Sequence, residues 1–269
     1  MESPVQKIRN DVRNWGAIFV MGAALGTALV PSAHADAASA RSLFKAMSDY
    51  LAAQQAISFD FDSTLEVVTK QNQKIGLASS GTLTLNRPNK IHATRTGGFA
   101  DVEMDFDGKT LTLLGKNANK YAQIDAPGTI DHLVDVLRNK YGRPVPAADL
   151  LMSDVYSQLM PLVVDTKDLG SGVIDGVECD HLAFRTKEVD WQIWIAQGNR
   201  PYPCRYVITS TTVSGGPQYT IDVRHWKTGS EVAPDSFSLQ LPSGAKKLNP
   251  DDLPDFDELP RIFAMKKGQ

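Results

Sequence analysis

One stretch, residues 176–210, narrows the possible folds more than any other part of the chain. Three β-prone runs lie in it back to back, at 179–185, 189–196 and 205–210, joined by short connections at 186–188 and 197–203. The second connection carries Gly198, Asn199, Pro201 and Pro203. Alternating polarity in runs rich in Val, Ile, Trp, Tyr and Thr predicts an antiparallel meander. Trp191 and Trp194 stand on one of these strands at odd spacing. They therefore point to opposite faces, because strand side chains alternate. Either both faces of that strand meet apolar matter, or one indole is left for a ligand.

The rest of the chain extends the pattern. Residues 38–54 predict a helix whose apolar stripe is Ala40, Leu43, Phe44, Met47, Tyr50 and Leu51, at the three-and-four spacing of one face. The period then changes to two, predicting strands at 57–68, 77–86, 90–96, 102–106, 110–114 and 120–124. Asp107-Gly108 between two of them is a two-residue hairpin signal. Helical spacing returns at Ile130, Leu133, Val134 and Leu137. Thr129 is placed to cap that helix, with Asp131 in its first turn. A further helical segment is read at 147–160, ended by Pro161, and strands resume at 162–169, 173–185, 189–196, 204–213 and 219–226. These elements make an α+β chain of eleven strands and three helical segments. Nothing in 36–248 reads as a linker, so that span is expected to be a single domain. Residues 249–269 form an extension, acidic at 251–258 and then basic.

The N-terminus predicts export. Lys7, Arg9 and Arg13 precede fifteen uncharged residues at 16–30, and Ala33-His34-Ala35 offers a small-x-small cleavage site. This is the pattern of a secretory signal peptide over residues 1–35, cleaved after Ala35. Fifteen residues fall short of the ~20 that span a bilayer as a helix, so no stable membrane insertion is expected. A formal net charge of −3 gives no reason to propose nucleic acid or an anionic membrane as partner. An oxidising compartment would permit a disulfide between the only two cysteines, Cys179 and Cys204. A strand intervenes between theirs, however, and next-but-one strands lie about 9.5 Å apart. Disulfide Cα atoms come within about 7 Å, so bridging requires a bend near Pro203. Both states stay open.

Several segments together resemble a known family. They are Cys179-Asp180-His181-Leu182-Ala183-Phe184-Arg185, Val189-Asp190-Trp191-Gln192-Ile193-Trp194-Ile195 and Pro201-x-Pro203-x-Arg205-Tyr206-Val207-Ile208-Thr209. Upstream stand Arg87-Pro88-Asn89-Lys90-Ile91, Asp107-Gly108-Lys109-Thr110-Leu111-Thr112-Leu113, Ala126-Pro127-Gly128-Thr129-Ile130-Asp131 and Ala148-Asp149-Leu150-Leu151. Over residues 55–248 the chain resembles the predicted periplasmic proteins of domain of unknown function 2092. That group is in turn similar to the LolA, LolB and RseB type of lipoprotein carrier. The resemblance implies a large, curved, half-open antiparallel sheet of about eleven strands with helices packed on its concave face. It also implies a non-enzymatic periplasmic carrier whose partner is a lipid or an acylated protein. A gap between sheet and helices, mostly apolar, is where such a ligand would bind. Phe44, Met47, Leu133, Leu137, Leu150, Leu151, Met160, Trp191 and Trp194 are the candidate lining, with a dry core as the plain alternative for each. The competing function is an envelope interaction or sensor protein with a filled core.

Catalytic readings are weaker. Asp60-Phe61-Asp62-Ser63-Thr64 resembles the Asp-x-Asp-x-Thr motif of haloacid-dehalogenase-type phosphatases, with Asp60 as nucleophile and Asp62 as acid/base. That motif should end a buried parallel strand, whereas residues 57–59 alternate and further strands follow without a helix between. Asp60 and Asp62 on a solvent face is the favoured reading. His92, His132, His181 and His225 show no paired metal spacing. No hydrolase elbow, phosphate loop or dinucleotide fingerprint occurs, so neither a metal nor a cofactor is expected.

Overall fold

The computed structural model describes residues 33–98, 101–141, 147–233, 237 and 239–250. Helix α1 (Ala33–Ala53) leads into β1 (Ala56–Val68), β2 (Lys74–Asn86), β3 (Lys90–Gly97), β4 (Asp101–Phe106), β5 (Thr110–Gly115) and β6 (Lys120–Asp125). Helices α2 (Ile130–Asn139) and α3 (Val155–Leu159) follow, then β7 (Asp165–Ile174), β8 (Val177–Arg185), β9 (Val189–Ala196), β10 (Pro203–Ser210), β11 (Gln218–Thr228) and β12 (Lys246–Lys247). All twelve strands form one open, curved sheet in the order β12-β6-β5-β4-β3-β2-β1-β11-β10-β9-β8-β7.

That order explains the helices. The sheet is two meanders, β1–β6 and β7–β11, zipped together where β1 pairs with β11. Strands β6 and β7 therefore lie toward opposite ends of the sheet, and the chain between them must cross its whole width. It crosses over one face and carries α2 and α3 there. Ladder pairings are antiparallel except for β12, which adds to the outer edge of β6 in parallel. Lys246 N–H donates to the Asn119 carbonyl, and Leu248 N–H to that of Tyr121.

The core lies between the helices and the sheet's inner face. On α1, Ala40, Phe44, Met47 and Leu51 are at most 1% exposed, the stripe that the spacing predicts. Burial of each large side chain contributes about 1.5–3 kcal/mol. From the sheet, Ile57, Phe59, Leu85, Ile91, Phe106, Leu111, Ile124, Leu182, Phe184, Trp191, Ile193 and Ile195 join the same cluster. Period two holds along β1, where Ile57, Phe59, Phe61 and Ser63 are buried and the residues between are not. Gly81 opposes Phe61 across the ladder. A methyl there would stand 2.6 Å from Phe61 Cζ and run into the Thr94 carbonyl, so the ring requires a glycine beneath it.

Thr129 caps α2 as the sequence predicts, accepting a hydrogen bond from the His132 N–H. The Asp107-Gly108 hairpin also forms. The Asp107 carboxylate accepts from Lys109 and Thr110 N–H at 2.8 Å each, and Gly108 sits at φ +92°.

Two expectations change. The 147–160 segment is not one helix. It is a 3-10 turn (Ala148–Leu151), then α3 capped by the Asp154 side chain, then a second 3-10 turn (Met160–Leu162). The break falls where Asp131 accepts from Ser153 N–H at 2.9 Å and Asp154 turns its carboxylate to Ser157 N–H, both competing with continued helix. The strand read at 162–169 starts at Asp165 and continues to Ile174. Gly170, between the two strands read at 162–169 and 173–185, is in a bulge at φ +83°, and the turn is Asp175-Gly176, with both φ angles positive.

Candidate functional site

One apolar cleft opens among the described residues between the crossing segment and the middle of the sheet. Its lining comes from α1 (Leu51), β1 (Ile57, Phe59), the 147–151 turn (Ala147, Leu150, Leu151), β10 (Pro203, Tyr206) and β11 (Ile221, Val223, Trp226). The unfilled space is about 30 Å³. That is room for a water or a methyl-sized group, well short of the ~150 Å³ cavity that admits benzene.

A β-bulge builds the mouth. The β1–β11 register runs Asp60 to Arg224 and then Ser58 to Lys227, so Phe59 faces two residues, His225 and Trp226. His225 takes φ +52°, the left-handed conformation of a bulge of this kind. The phase of β11 shifts by one there. Ile221 and Val223 face inward, His225 turns out to solvent, and Trp226 turns in to the cleft. Trp226 stacks between Phe59 (centroids 5.5 Å, 16°) and Tyr202 (5.2 Å, 6°), and its Nε1–H donates to the Tyr50 hydroxyl at 3.3 Å. Arg200 flanks this wall and pairs with Glu231 at 2.8 Å. Burial pushes the Tyr202 phenol up to about 12, and burial likewise raises Tyr206.

Opposite this wall, Arg87 fastens the turn to the sheet. Its guanidinium donates to the Leu151 carbonyl at 2.9 Å and the Met152 carbonyl at 3.3 Å. Desolvation lowers its pKa, against the opposing pull of the Asp131 charge. The crossing segment is also tied to itself, by Asp131 to Ser153 and by Arg138 to Asp149. It is tied to α1 by Tyr156 N–H donating to Ser48 Oγ at 3.0 Å.

Of the residues expected to line a site, Leu150 and Leu151 are in the cleft. Phe44, Met47, Leu133, Leu137, Met160 and Trp191 pack into the main core. Trp194 faces the other side of the sheet, as its odd spacing from Trp191 dictates. There it stacks on His181 (3.9 Å, 13°), lies under Arg205 and covers Gly172. Cys179 and Cys204 share that outer face in a small buried cluster with Ile174 and Ala196. The register shift between Pro203 and Arg205 supplies the bend that brings them together, yet both are free thiols. The neighbouring Cys179 thiol and burial hold Cys204 well above the ordinary thiol range, and each Sγ–H donates to a backbone carbonyl, of Val177 and Tyr202.

The lining missed by the sequence reading is mostly inner-face β1 and β11. Ile57, Phe59, Ile221 and Val223 were legible from period two, but Trp226 was hidden by the bulge. Asp60 and Asp62 lie on the solvent side of a central antiparallel strand, paired to His225 and Arg224. That is not the end of a parallel strand, and the phosphatase reading is withdrawn. No cluster of three or more potential metal ligands occurs among the described residues, and no described helix is long and apolar enough to cross a membrane. Residues 1–32 and 251–269, and with them most of the signal peptide and of the C-terminal extension, lie outside the described residues.

Solved structures with a similar sheet include the lipoprotein LppX of Mycobacterium tuberculosis, 13% identical, with 76% of this chain and 99% of that chain covered and a TM-score of 0.47. A chain of the Pseudomonas aeruginosa MucA/MucB complex is 12% identical, covering 75% and 61%, with a TM-score of 0.44. LprF of Mycobacterium bovis is 11% identical, covering 78% and 99%, with a TM-score of 0.43. No curated protein matches the sequence. Residues 40–249 match the sequence model described as predicted periplasmic protein (DUF2092), and the chain belongs to that family.

Proposed function

We propose that this chain is an exported, periplasmic, non-enzymatic binding protein for an apolar ligand, a lipid or the acyl chain of a lipoprotein, taken up between the sheet and the crossing segment. The signal-like residues 1–35, with cleavage after Ala35, and the family's description as periplasmic support the compartment. The observation that carries the binding reading is the cleft itself. It is apolar throughout its lining, and one wall is a short 3-10 turn instead of a packed helix. The described state is closed. A long chain enters only if the 147–162 segment moves off the inner face, and that segment is fastened by a few hydrogen bonds to Arg87 and Ser48. Each methylene buried contributes about 0.8 kcal/mol, so a C12 chain offsets several such bonds.

The filled core favours a second reading, an envelope interaction protein that docks a partner on its outer surface. One experiment separates them. Organic extraction and mass spectrometry of protein purified from its own periplasm should yield stoichiometric lipid. Protein that carries none and fails to bind a fluorescent fatty acid would sink the carrier reading and leave the docking one.

A further inference from the structure

We infer that the bound amphiphile is anionic, and that Arg87 receives its carboxylate or phosphate oxygens at the rim of the apolar cleft. This rests on the binding function proposed above.

Two routes place Arg87 at that rim. Leu151 lines the cleft with its side chain and offers its carbonyl to Arg87. On the sheet side, Arg87 follows Asn86, which pairs with Ala56, the neighbour of cleft-lining Ile57. An amphiphile whose tail lies against Leu51, Ile57 and Leu150 has its head at this position.

Arg87 is also a cation without an anion. Among the described residues no carboxylate oxygen lies within the 4.0 Å of an ion pair. Asp131, the acid whose charge acts on Arg87, is engaged by the N–H and hydroxyl of Ser153. Arg200, on the other side of the mouth, has Glu231, and Arg138 has Asp149. Arg87 Nε is buried with no hydrogen-bond partner among the described residues. A half-buried guanidinium satisfied only by neutral carbonyls has lost part of its hydration for partial compensation. Charge-assisted hydrogen bonds are about twice as strong as neutral ones, so an anion gains at this position what it gains nowhere else on the wall.

The geometry matches an oxyanion. The fork of Arg87 already grips two oxygens, from the consecutive residues Leu151 and Met152. A carboxylate or phosphate presents two oxygens to the same planar donor. The turn's carbonyls thus occupy the place of the head group, and the incoming anion releases the turn as it binds.

The test compares dodecanoate, dodecyl phosphate and dodecan-1-ol as competitors of a fluorescent fatty acid, on the exported chain freed of lipid. The expected result is tighter binding of both anions than of the alcohol by about tenfold or more. Arg87→Gln should abolish that preference, so that the anions and dodecanol bind alike, and Arg87→Lys should keep part of it. Equal affinity of all three for the unaltered protein overturns the anionic head and leaves the apolar cleft standing. Binding of none overturns both. Acetate or inorganic phosphate binding as tightly as the amphiphiles would make the occupant a free anion and overturn the proposal. The comparison on the unaltered chain decides the matter even if an Arg87 variant fails to fold.

Discussion

Asp60 Oδ2 accepts a hydrogen bond from His225 Nδ1 at 2.6 Å across the β1–β11 ladder. The pair involves the one residue of β11 at positive φ, at the bulge where His225 faces solvent and Trp226 faces the cleft. The bulge thus turns its histidine to one face of the sheet and the next residue, an aromatic wall of the cleft, to the other.

The first prediction follows from that backbone. His225→Val places a β-branched residue at φ +52° and should destabilise by about 1–3 kcal/mol. His225→Gly accepts the conformation and should cost less than about 1 kcal/mol. Urea denaturation of the two variants checks the order, and equal losses would contradict the bulge.

Trp226 should report ligand entry. A bromine-labelled acyl chain in the cleft is expected to quench Trp226, while Trp194, on the far face under Arg205, stays bright. Replacing Trp226 with Phe should remove most of the quenching. Trp226→Ala should weaken binding by about tenfold, since aromatic anchors dominate such sites. Fluorescence titration measures both.

Enlarging the cleft tests whether it is a binding space or a packing fault. Leu150 is 8% exposed, and Leu150→Ala should cost about 2–4 kcal/mol through lost transfer energy and added void. The same variant should gain affinity for benzene, as dry cavities of ~150 Å³ do. Thermal melts with and without benzene give both quantities.

Much of this was legible in the residues. Eleven strands follow from period two and turn chemistry, and Thr129, Gly108 and the α1 stripe behave as their types require. Three features escaped, each for a physical reason. The 147–162 segment has helical apolar spacing, but Asp131 and Asp154 spend their carboxylates on its backbone N–H groups and break it. The strand break reads at 170–172 and falls at Asp175-Gly176, because a bulge and a turn both favour glycine and only the ladder tells them apart. Trp226 sits out of phase because His225 adopts a conformation that histidine seldom takes. The family resemblance pointed to an interior between sheet and helices, and most large side chains chosen there, Phe44 and Trp191 among them, fill the core.

Acid should weaken the fold. Asp107 lies below the usual carboxylate range through hydrogen bonds from Thr110 and Lys109 N–H, and Asp154 does so through Ser157. A carboxylate with a depressed folded pKa binds its proton less readily folded than unfolded. Its stabilisation is present above about pH 4, the unfolded value, and is lost as pH falls through the lower folded one. Urea midpoints between pH 6 and pH 3 should decline, and Asp107→Asn should flatten part of the slope.

Both thiols should be unreactive in the native state. Cys179 is fully buried and Cys204 is 2% exposed. Reduced protein is expected to give no fast reaction with Ellman's reagent, and two equivalents once unfolded. Rapid native labelling would show that the cluster with Ile174 and Ala196 opens readily.

The two lysines of β12 have a significance beyond the cleft. Placed along β6, they stop another polypeptide from continuing the ladder there, because ammonium groups on a border strand repel a like neighbour and bare borders invite stacking. Cutting the chain ahead of Lys246 would remove that cover. Fibrous or stacked assemblies, not loss of folding, are then the hazard for a truncated form.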